Sequence, residues 1–409
     1  MKRIGLATAA VLAFLAAAAN GEDGRYRSYI IGERAAGMGG AAVAIGSGVD
    51  AAYYNPAGLA NAEKDSLSLT ANLYGIQEEK VDSAFYPDDD INSRSVATIP
   101  ASISLVRRMN EQMVLGFSVL EPDYHTCDEI LTRGHGKHLY NYSANEKSLW
   151  FGPSAAWKCD NGISIGLSVF GTYNYNKEDI SLTLNEYDVT VRQAFKEHSV
   201  DLLALFGVQW RSEEGWAAGA SVQTPSLHLW DSATLAMTQL GQSFYSDDLD
   251  AEHRLPFQIA IGVGRQVARE YGFGLDVTYH PSMSYTALGV NDEYAGLEDQ
   301  KLSRKQVVDF SLGGEYYFAG QYPLRGGVYT AFSAADDIED SREIATRDVD
   351  LYGATLSIGR ENDLMGINVG LNYVIGRGHD IGYDGNQNSC RRRAREQQLY
   401  LTFNTTYYF

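Results

Sequence analysis

The sequence predicts an all-β fold: a fourteen-stranded antiparallel transmembrane β-barrel with a compact N-terminal plug in its lumen. Three observations predict it. From Asp65 onward, apolar residues alternate with small or weakly polar ones, so each segment reads as a strand with two unlike faces. Long and short connections alternate between these segments. Ahead of them lies Gly32 to Ala60, GERAAGMGGAAVAIGSGVDAAYYNPAGLA, too rich in Gly and Ala for an ordinary strand or long helix.

Residues 1–20 read as a secretory signal peptide. Lys2 and Arg3 form a basic start, Ile4 to Ala18 an apolar stretch, and Ala17, Ala18 and Ala19 a small-residue cleavage site. That stretch is too short for a membrane helix, and none later is long enough. The chain has 409 residues and a net charge of -19 from 33 basic and 52 acidic residues. Without Lys2 and Arg3, 31 basic residues face the same 52 acidic ones, a charge near -21. Nucleic acid is excluded as a partner, since it needs a basic face. Three Cys form neither a disulfide framework nor a metal motif.

Residues 21–64 hold the plug and 65–409 the barrel. The predicted strands are 65–76, 96–107, 112–122, 147–158, 162–177, 197–211, 215–226, 255–267, 270–282, 305–318, 322–334, 348–360, 364–378 and 396–409. Short links carry turn residues, such as Asp160-Asn161-Gly162 and Ala319-Gly320-Gln321. Long links fall at 77–95, 123–146, 178–196, 227–254, 283–304, 335–347 and 379–395. An even strand number with short turns on one side and long loops on the other describes an outer-membrane barrel. Both termini then lie on the periplasmic, short-turn side.

The faces agree. In the last strand Leu399, Leu401, Phe403, Tyr407 and Phe409 share one face. Opposite faces elsewhere are small and polar: Ser164, Gly166 and Ser168, or Gly366, Asn368, Gly370 and Asn372. That suits lipid outside and an occupied lumen. The closing Tyr407-Tyr408-Phe409 is the aromatic end that outer-membrane barrels present to the barrel assembly machinery.

Two runs carry a more specific signal. Arg34-Ala35-Ala36-Gly37-Met38-Gly39-Gly40-Ala41 and Asp50-Ala51-Ala52-Tyr53-Tyr54-Asn55-Pro56-Ala57-Gly58-Leu59 together resemble the N-terminal hatch of the FadL and TodX outer-membrane transporters. The resemblance implies a fourteen-stranded barrel with a hatch in its lumen. It implies transport of hydrophobic compounds, long-chain fatty acids or aromatic hydrocarbons, without energy coupling; no cofactor is expected. A structural or secretion-accessory barrel is the alternative, marked by a filled lumen.

Site expectations follow. Asn55, Pro56 and Ala57 match the family's Asn-Pro-Ala element and anchor the hatch, since a short amide before Pro holds a turn. Arg34 needs a lumenal partner, because an unpaired desolvated charge is costly. Candidates by phase are Asp201, Asp276, Asp309 and Glu315. The turn at Gly320 sets Glu315 opposite Arg325, so these two are expected to pair and Arg34 to meet another of the acids. Leu120, Trp150, Phe170, Leu203 and Leu205 face inward and form an apolar wall for a ligand. Trp230, Ala233, Met237, Leu240 and Phe244 repeat at helical spacing, so 227–254 is expected to carry an external loop helix. Facing Tyr187, Val191 and Phe195 of the 178–196 loop, it would make an entrance groove.

Three weaker features remain. Acidic clusters at Asp88 to Asp90, Asp247-Asp248 with Asp250, and Asp336-Asp337 lack calcium-loop spacing, so no metal is expected. Arg391-Arg392-Arg393 with Arg395 suits phosphates of outer-membrane lipid and lipopolysaccharide. Cys127 and Cys390 share the external side, where a bridge is chemically open. Among eight His, only His280 has a lumenal strand phase, and no Ser or carboxylate falls beside it, so a hydrolase is not expected.

Overall fold

Strands whose two faces differ this sharply bury one face only by curling round something, and closure removes the sheet edges. The structure, a computed structural model, describes residues 24–409 except 28, 85–89, 134–137, 185–188, 240–241, 290–298, 336–346 and 384–388. The expected signal peptide lies outside the described residues. Fourteen strands form the ring: β1 Ser66–Val81, β2 Ile91–Arg108, β3 Met113–Arg133, β4 His138–Lys158, β5 Ile163–Leu184, β6 Val189–Arg211, β7 Trp216–Gln223, β10 Gln258–Val267, β11 Tyr271–His280, β14 Val307–Phe318, β15 Tyr322–Ala331, β16 Asp348–Glu361, β17 Met365–Tyr383 and β18 Ser389–Tyr408. Neighbours pair antiparallel, and β1 pairs with β18 to close the ring.

Four more strands, β8 Leu227–Gln239, β9 Gln242–Ala251, β12 Met283–Gly289 and β13 Gln300–Arg304, extend the wall outward. This corrects the expected loop helix over Trp230 to Phe244. β8 pairs with the upper part of β6 and with β9, setting Met237 opposite Phe244. The cause is an open edge. β7 ends at Gln223, opposite Leu205, and leaves the outer part of β6 without a neighbour. An unpaired edge recruits a strand, and β8 fills it. Ala233, Leu235 and Met237 alternate as well as they stripe a helix, so the pattern fitted both periods. The expected loops at 77–95, 123–146, 178–196 and 379–395 are likewise mostly strand, because the ring's hairpins run on above the membrane.

Outward residues are apolar and exposed, as lipid requires: Leu312 at 50 % and Ile358 at 58 % are representative. Trp157, Trp210, Trp216, Tyr316, Phe318, Tyr322 and Phe409 make an aromatic girdle at the short-turn end. No helix among the described residues is long and apolar enough to cross a membrane.

Candidate functional site

The N-terminal segment threads the ring as short helical turns: Arg34–Gly37, Gly48–Asp50, Ala51–Tyr54 and Pro56–Asn61. Such a segment cannot satisfy its own backbone, so the wall must supply partners. The small lumenal side chains do this. Ser168 donates to Ala52 O and Ser221 to Tyr54 O, each at 2.8 Å, while Thr355 accepts from Gly39 N at 3.0 Å. Two carboxylates do more. Asp50, in the segment itself, accepts from the amides of Glu33, Arg34 and Ala35 at 2.8–3.0 Å. Asp276 on β11 accepts from Ala42 and Val43 at 2.6 and 2.8 Å.

Asn55 is buried and ties the segment to β6. Its Nδ2 donates to Val43 O at 2.8 Å and to Val208 O at 3.0 Å, and its Oδ1 accepts from Ala57 N at 3.2 Å. Pro56 then opens the 3₁₀ turn, where its missing N–H costs nothing. Glycines on the wall admit this corner. A Cβ at Gly207 would overlap the Asn55 carboxamide, and one at Gly166 would overlap the Pro56 carbonyl carbon.

Glu315 binds two arginines. Arg34 Nε lies 3.0 Å from both its oxygens and Arg34 Nη2 lies 2.5 Å from Oε1. Arg325 Nε reaches Oε2 at 3.0 Å, and Arg325 Nη2 reaches Glu361 at 2.5 Å. The Glu315 and Arg325 side chains are each 1 % exposed. The expectation that Arg34 meets a different acid is therefore corrected. Arg34 lies low, near the turn at Gly320, at the level of Glu315. Asp276 is engaged with backbone amides, and Asp309 accepts from Thr330 and the Phe332 amide at 2.9 Å.

Above the segment, Leu120, Trp150, Phe170 and Leu203 pack with Ile31, against Tyr53 and Leu255. Leu205 is buried one inward step below Leu203, outside that cluster. The wall thus packs largely against the N-terminal segment. Trp150 and Tyr53 still floor a cleft of about 690 Å³ including its mouth. Its rim carries the basic residues Arg25, His253, Arg254, His280 and Arg304 beside Asp123, with Arg25 paired to Glu396 at 3.3 Å and Arg254 to Glu252 at 2.6 Å. A second cleft, about 630 Å³, lies further out beside Phe195, Tyr285, Leu288 and Leu302. The two share Asp123, Ser148 and His253, so they are contiguous.

A hydrogen-bond chain joins the lumenal cleft to the external hairpin. It runs from Trp150 through Ser148 and Asn174 to Asp201, with steps of 2.6–3.0 Å. His228 on β8 then bridges Asp201 at 3.0 Å and Asp231 at 3.2 Å. Burial opposes the charge on His228, but the two carboxylates outweigh it and raise its pKa. Protonated His228 therefore favours the docked hairpin. That contribution is complete below the free-histidine pKa near 6.5 and fades as pH rises through the higher docked value. Amide exchange over 227–239 should accelerate as pH is raised through that range, after correction for intrinsic rates. His228→Gln should abolish the dependence.

The wall is incomplete between β2 and β3. They pair only from Ile103–Val119 to Arg108–Val114, although β1–β2 and β3–β4 pair far beyond that level. Continuing the register puts Pro100 opposite Pro122. Neither can donate to a ladder, so pairing stops below them. Pro122 also lines the lumenal cleft.

A closed fourteen-stranded ring, an N-terminal segment pinned inside it and a cleft above that segment form one architecture. A family model described as outer membrane protein transport protein (OMPP1/FadL/TodX) matches residues 27–409. The chain belongs to this family. Solved FadL/TodX structures share its fold. A Pseudomonas aeruginosa FadL homologue aligns with TM-score 0.70 and 14 % identity over 94 % of this chain and 98 % of that one. The P. putida toluene transporter TodX gives 0.66 and 12 % over 93 % and 98 %. The Ralstonia pickettii toluene transporter TbuX gives 0.63 and 13 %, with the same coverage. Comparison with curated proteins returned no match. As a FadL/TodX-family protein the chain is an outer-membrane β-barrel for hydrophobic compounds.

In this FadL/TodX barrel the predicted entrance residues separate. Trp230 points outward and is 54 % exposed, whereas Met237 and Phe244 pack on Phe195, Leu235 and Leu288. Sequence reasoning missed Asp50, His228 and the Pro100–Pro122 pair. Only the prolines carried a sequence signal, and it required the register to be read. The Cys127 side chain, Tyr187, Leu240, Asp88-Asp89 and Asp336-Asp337 lie outside the described residues.

Proposed function

We propose that this barrel passes long-chain fatty acids across the outer membrane, with residues 21–64 as its hatch and Arg34, Asn55, Pro56 and Ala57 as the hatch anchor. The observation that carries the reading is a rim rich in basic side chains above an aromatic floor. Trp150, Tyr53 and Leu255 offer apolar surface to an acyl chain, and Arg304 and His253 offer donors to its carboxylate. Ligand enters at the outer cleft beside Phe195 and Leu288, where Met237 and Phe244 support the wall. It settles over Leu120, Trp150, Phe170 and Leu203, and leaves sideways through the gap between β2 and β3. Lateral exit suits an amphiphile, since its chain never has to cross the polar vestibule beneath the hatch, lined by Glu33, Arg34, Arg211 and Glu361.

A second reading rests on the aromatic floor alone. Relatives described as toluene transporters and a monoaromatic hydrocarbon channel share the fold. A monoaromatic cargo would use Tyr53 and Trp150 and ignore the cations. The secretion-accessory alternative expects a filled lumen, and the two contiguous clefts count against it.

Binding of an eighteen-carbon fatty acid and its methyl ester to the purified barrel separates the readings. The acid should bind more tightly. Arg304→Gln should weaken the acid by roughly tenfold or more, the worth of a charged hydrogen bond, and leave the ester unchanged. Equal affinity of acid and ester for the unaltered protein would favour the hydrocarbon reading.

A further inference from the structure

The outward face of the barrel changes character at one height. On β5 it runs Ile163, Ile165, Leu167, Val169 and Tyr173, then reaches Tyr175 and Lys177. On β17 it runs Ile367, Val369, Leu371, Tyr373 and Ile375, then reaches Arg377 and His379. Each apolar run spans about the nine to eleven residues that a tilted strand needs to cross a bilayer. The cations therefore begin where the outer leaflet's headgroups lie.

At that height, like charges oppose each other on two separate arcs of the wall. Lys177 pairs with Lys196 across β5–β6, and Lys147 and His198 flank Tyr175 one row below. Arg377 pairs with Arg395 across β17–β18, and one row above, Arg393 lies opposite His379, whose Nδ1 accepts from Arg391 at 2.8 Å. Like charges directly opposite on a sheet are destabilising. Local acids relieve only part of this. Asp179 lies 2.9 Å from Lys177, and Asp82 lies 3.3 Å from Arg395. Among the described residues, Lys147, Lys196, Arg377 and Arg393 have no carboxylate within salt-bridge distance. Their clustering on a chain of net charge -19 is not a consequence of composition.

Tyr175 adds a second feature. The Lys147 ammonium lies 5.1 Å from its ring centroid, and Tyr173 shares a 2.6 Å hydrogen bond with His198 Nδ1. Aromatic rings among cations at the polar edge of an apolar belt suit a ligand with an acyl part below and an anionic part above. We propose that these two basic arcs hold the phosphates of the outer leaflet's glycolipid, lipopolysaccharide. Arginines take the phosphates bidentately on the β17–β18 arc, and lysines take them as point charges on the β5–β6 arc. Lys147 and Tyr175 also line the outer cleft, but Lys177, Lys196 and the whole β17–β18 arc lie outside both clefts, so failure there would leave the transport reading untouched.

The test uses the full barrel in detergent with two probes, bisphosphorylated lipopolysaccharide and its enzymatically dephosphorylated form. Native mass spectrometry reads retention against rising salt. The phosphorylated probe should stay bound longer, and 10 mM inorganic phosphate, on the order of a physiological concentration, should displace little of it. Lys177→Gln with Lys196→Gln, and separately Arg377→Gln with Arg393→Gln, should each weaken it by about fivefold per charge removed. The Lys→Arg and Arg→Lys versions should retain binding. Heat-modifiable gel migration and unchanged fatty-acid binding establish that each variant is folded. Equal retention of both probes, full displacement by inorganic phosphate, or charge-removed variants that bind like the unaltered barrel would overturn the proposal. So would a loss of self-association in those variants without loss of lipopolysaccharide, which would assign the arcs to a second copy of this chain.

Discussion

Glu315→Gln should turn a silent barrel into a leaky one. The Glu315 carboxylate holds Arg34 of the N-terminal segment and Arg325 of the wall at once, and its side chain is 1 % exposed. Removing its charge leaves two desolvated guanidinium groups near one another, with Glu361, which accepts from Arg325 and Tyr317, as the remaining carboxylate partner of Arg325. Breaking a buried pair in this way costs about 3–5 kcal/mol. A segment that is docked or released by a few kcal/mol would shift its population by more than about a hundredfold. The unaltered protein in a planar bilayer should show almost no ion current. Glu315→Gln should show frequent openings, and amide exchange over residues 34–60 should speed up with the strands unaffected. Arg34→Gln should release the segment less, because Arg325, Glu315 and Glu361 remain paired in the wall. A folded Glu315→Gln barrel that stays silent, with slow exchange over 34–60, would refute this docking scheme.

Pro100→Val combined with Pro122→Val should close the wall and stop transport. The ladder between β2 and β3 ends at Ile103–Val119. Continued three positions further, the same register would set the two prolines opposite each other. Replacing both restores two backbone donors and two β-branched residues that favour a strand. Each new hydrogen bond is worth about 0.5–1.5 kcal/mol, and zipping the rungs beyond adds more of them. The variant should therefore unfold at a higher temperature while fatty-acid uptake falls by at least an order of magnitude, on the order expected of a shift of a few kcal/mol. Binding at the lumenal cleft should change far less than uptake, since Val keeps the Pro122 position of its lining apolar and Trp150 and Tyr53 are untouched. Uptake at the unaltered rate in a stabilised double variant would place the exit elsewhere, through movement of the hatch.

The ring was legible because its signals are local and redundant. Period-two alternation, a turn such as Asp160-Asn161-Gly162 and a polar lumenal face such as Ser164, Gly166 and Ser168 all point to the same register. The opposition of Glu315 and Arg325 could be read from the turn at Gly320. That Arg34 reaches the same carboxylate could not, because depth in the lumen has no sequence signature. Asp50 and Asp276 act on backbone amides, and an amide leaves no mark on residue type. The stretch around Trp230 misled for a different reason. Ala233, Met237 and Phe244 satisfy helical spacing, while Ala233, Leu235 and Met237 satisfy strand spacing. Only the unpaired outer edge of β6, a tertiary feature, decides between the two.

Uptake is the most direct measurement. The barrel is expressed in an outer-membrane host that lacks a fatty-acid transporter, and entry of a labelled eighteen-carbon fatty acid is followed at low concentration with the host's energy supply collapsed. Saturable uptake well above the empty host, sensitive to Arg304→Gln and to the paired proline replacements, is the predicted result. Uptake no greater than in the empty host, with the barrel correctly inserted, would contradict the account.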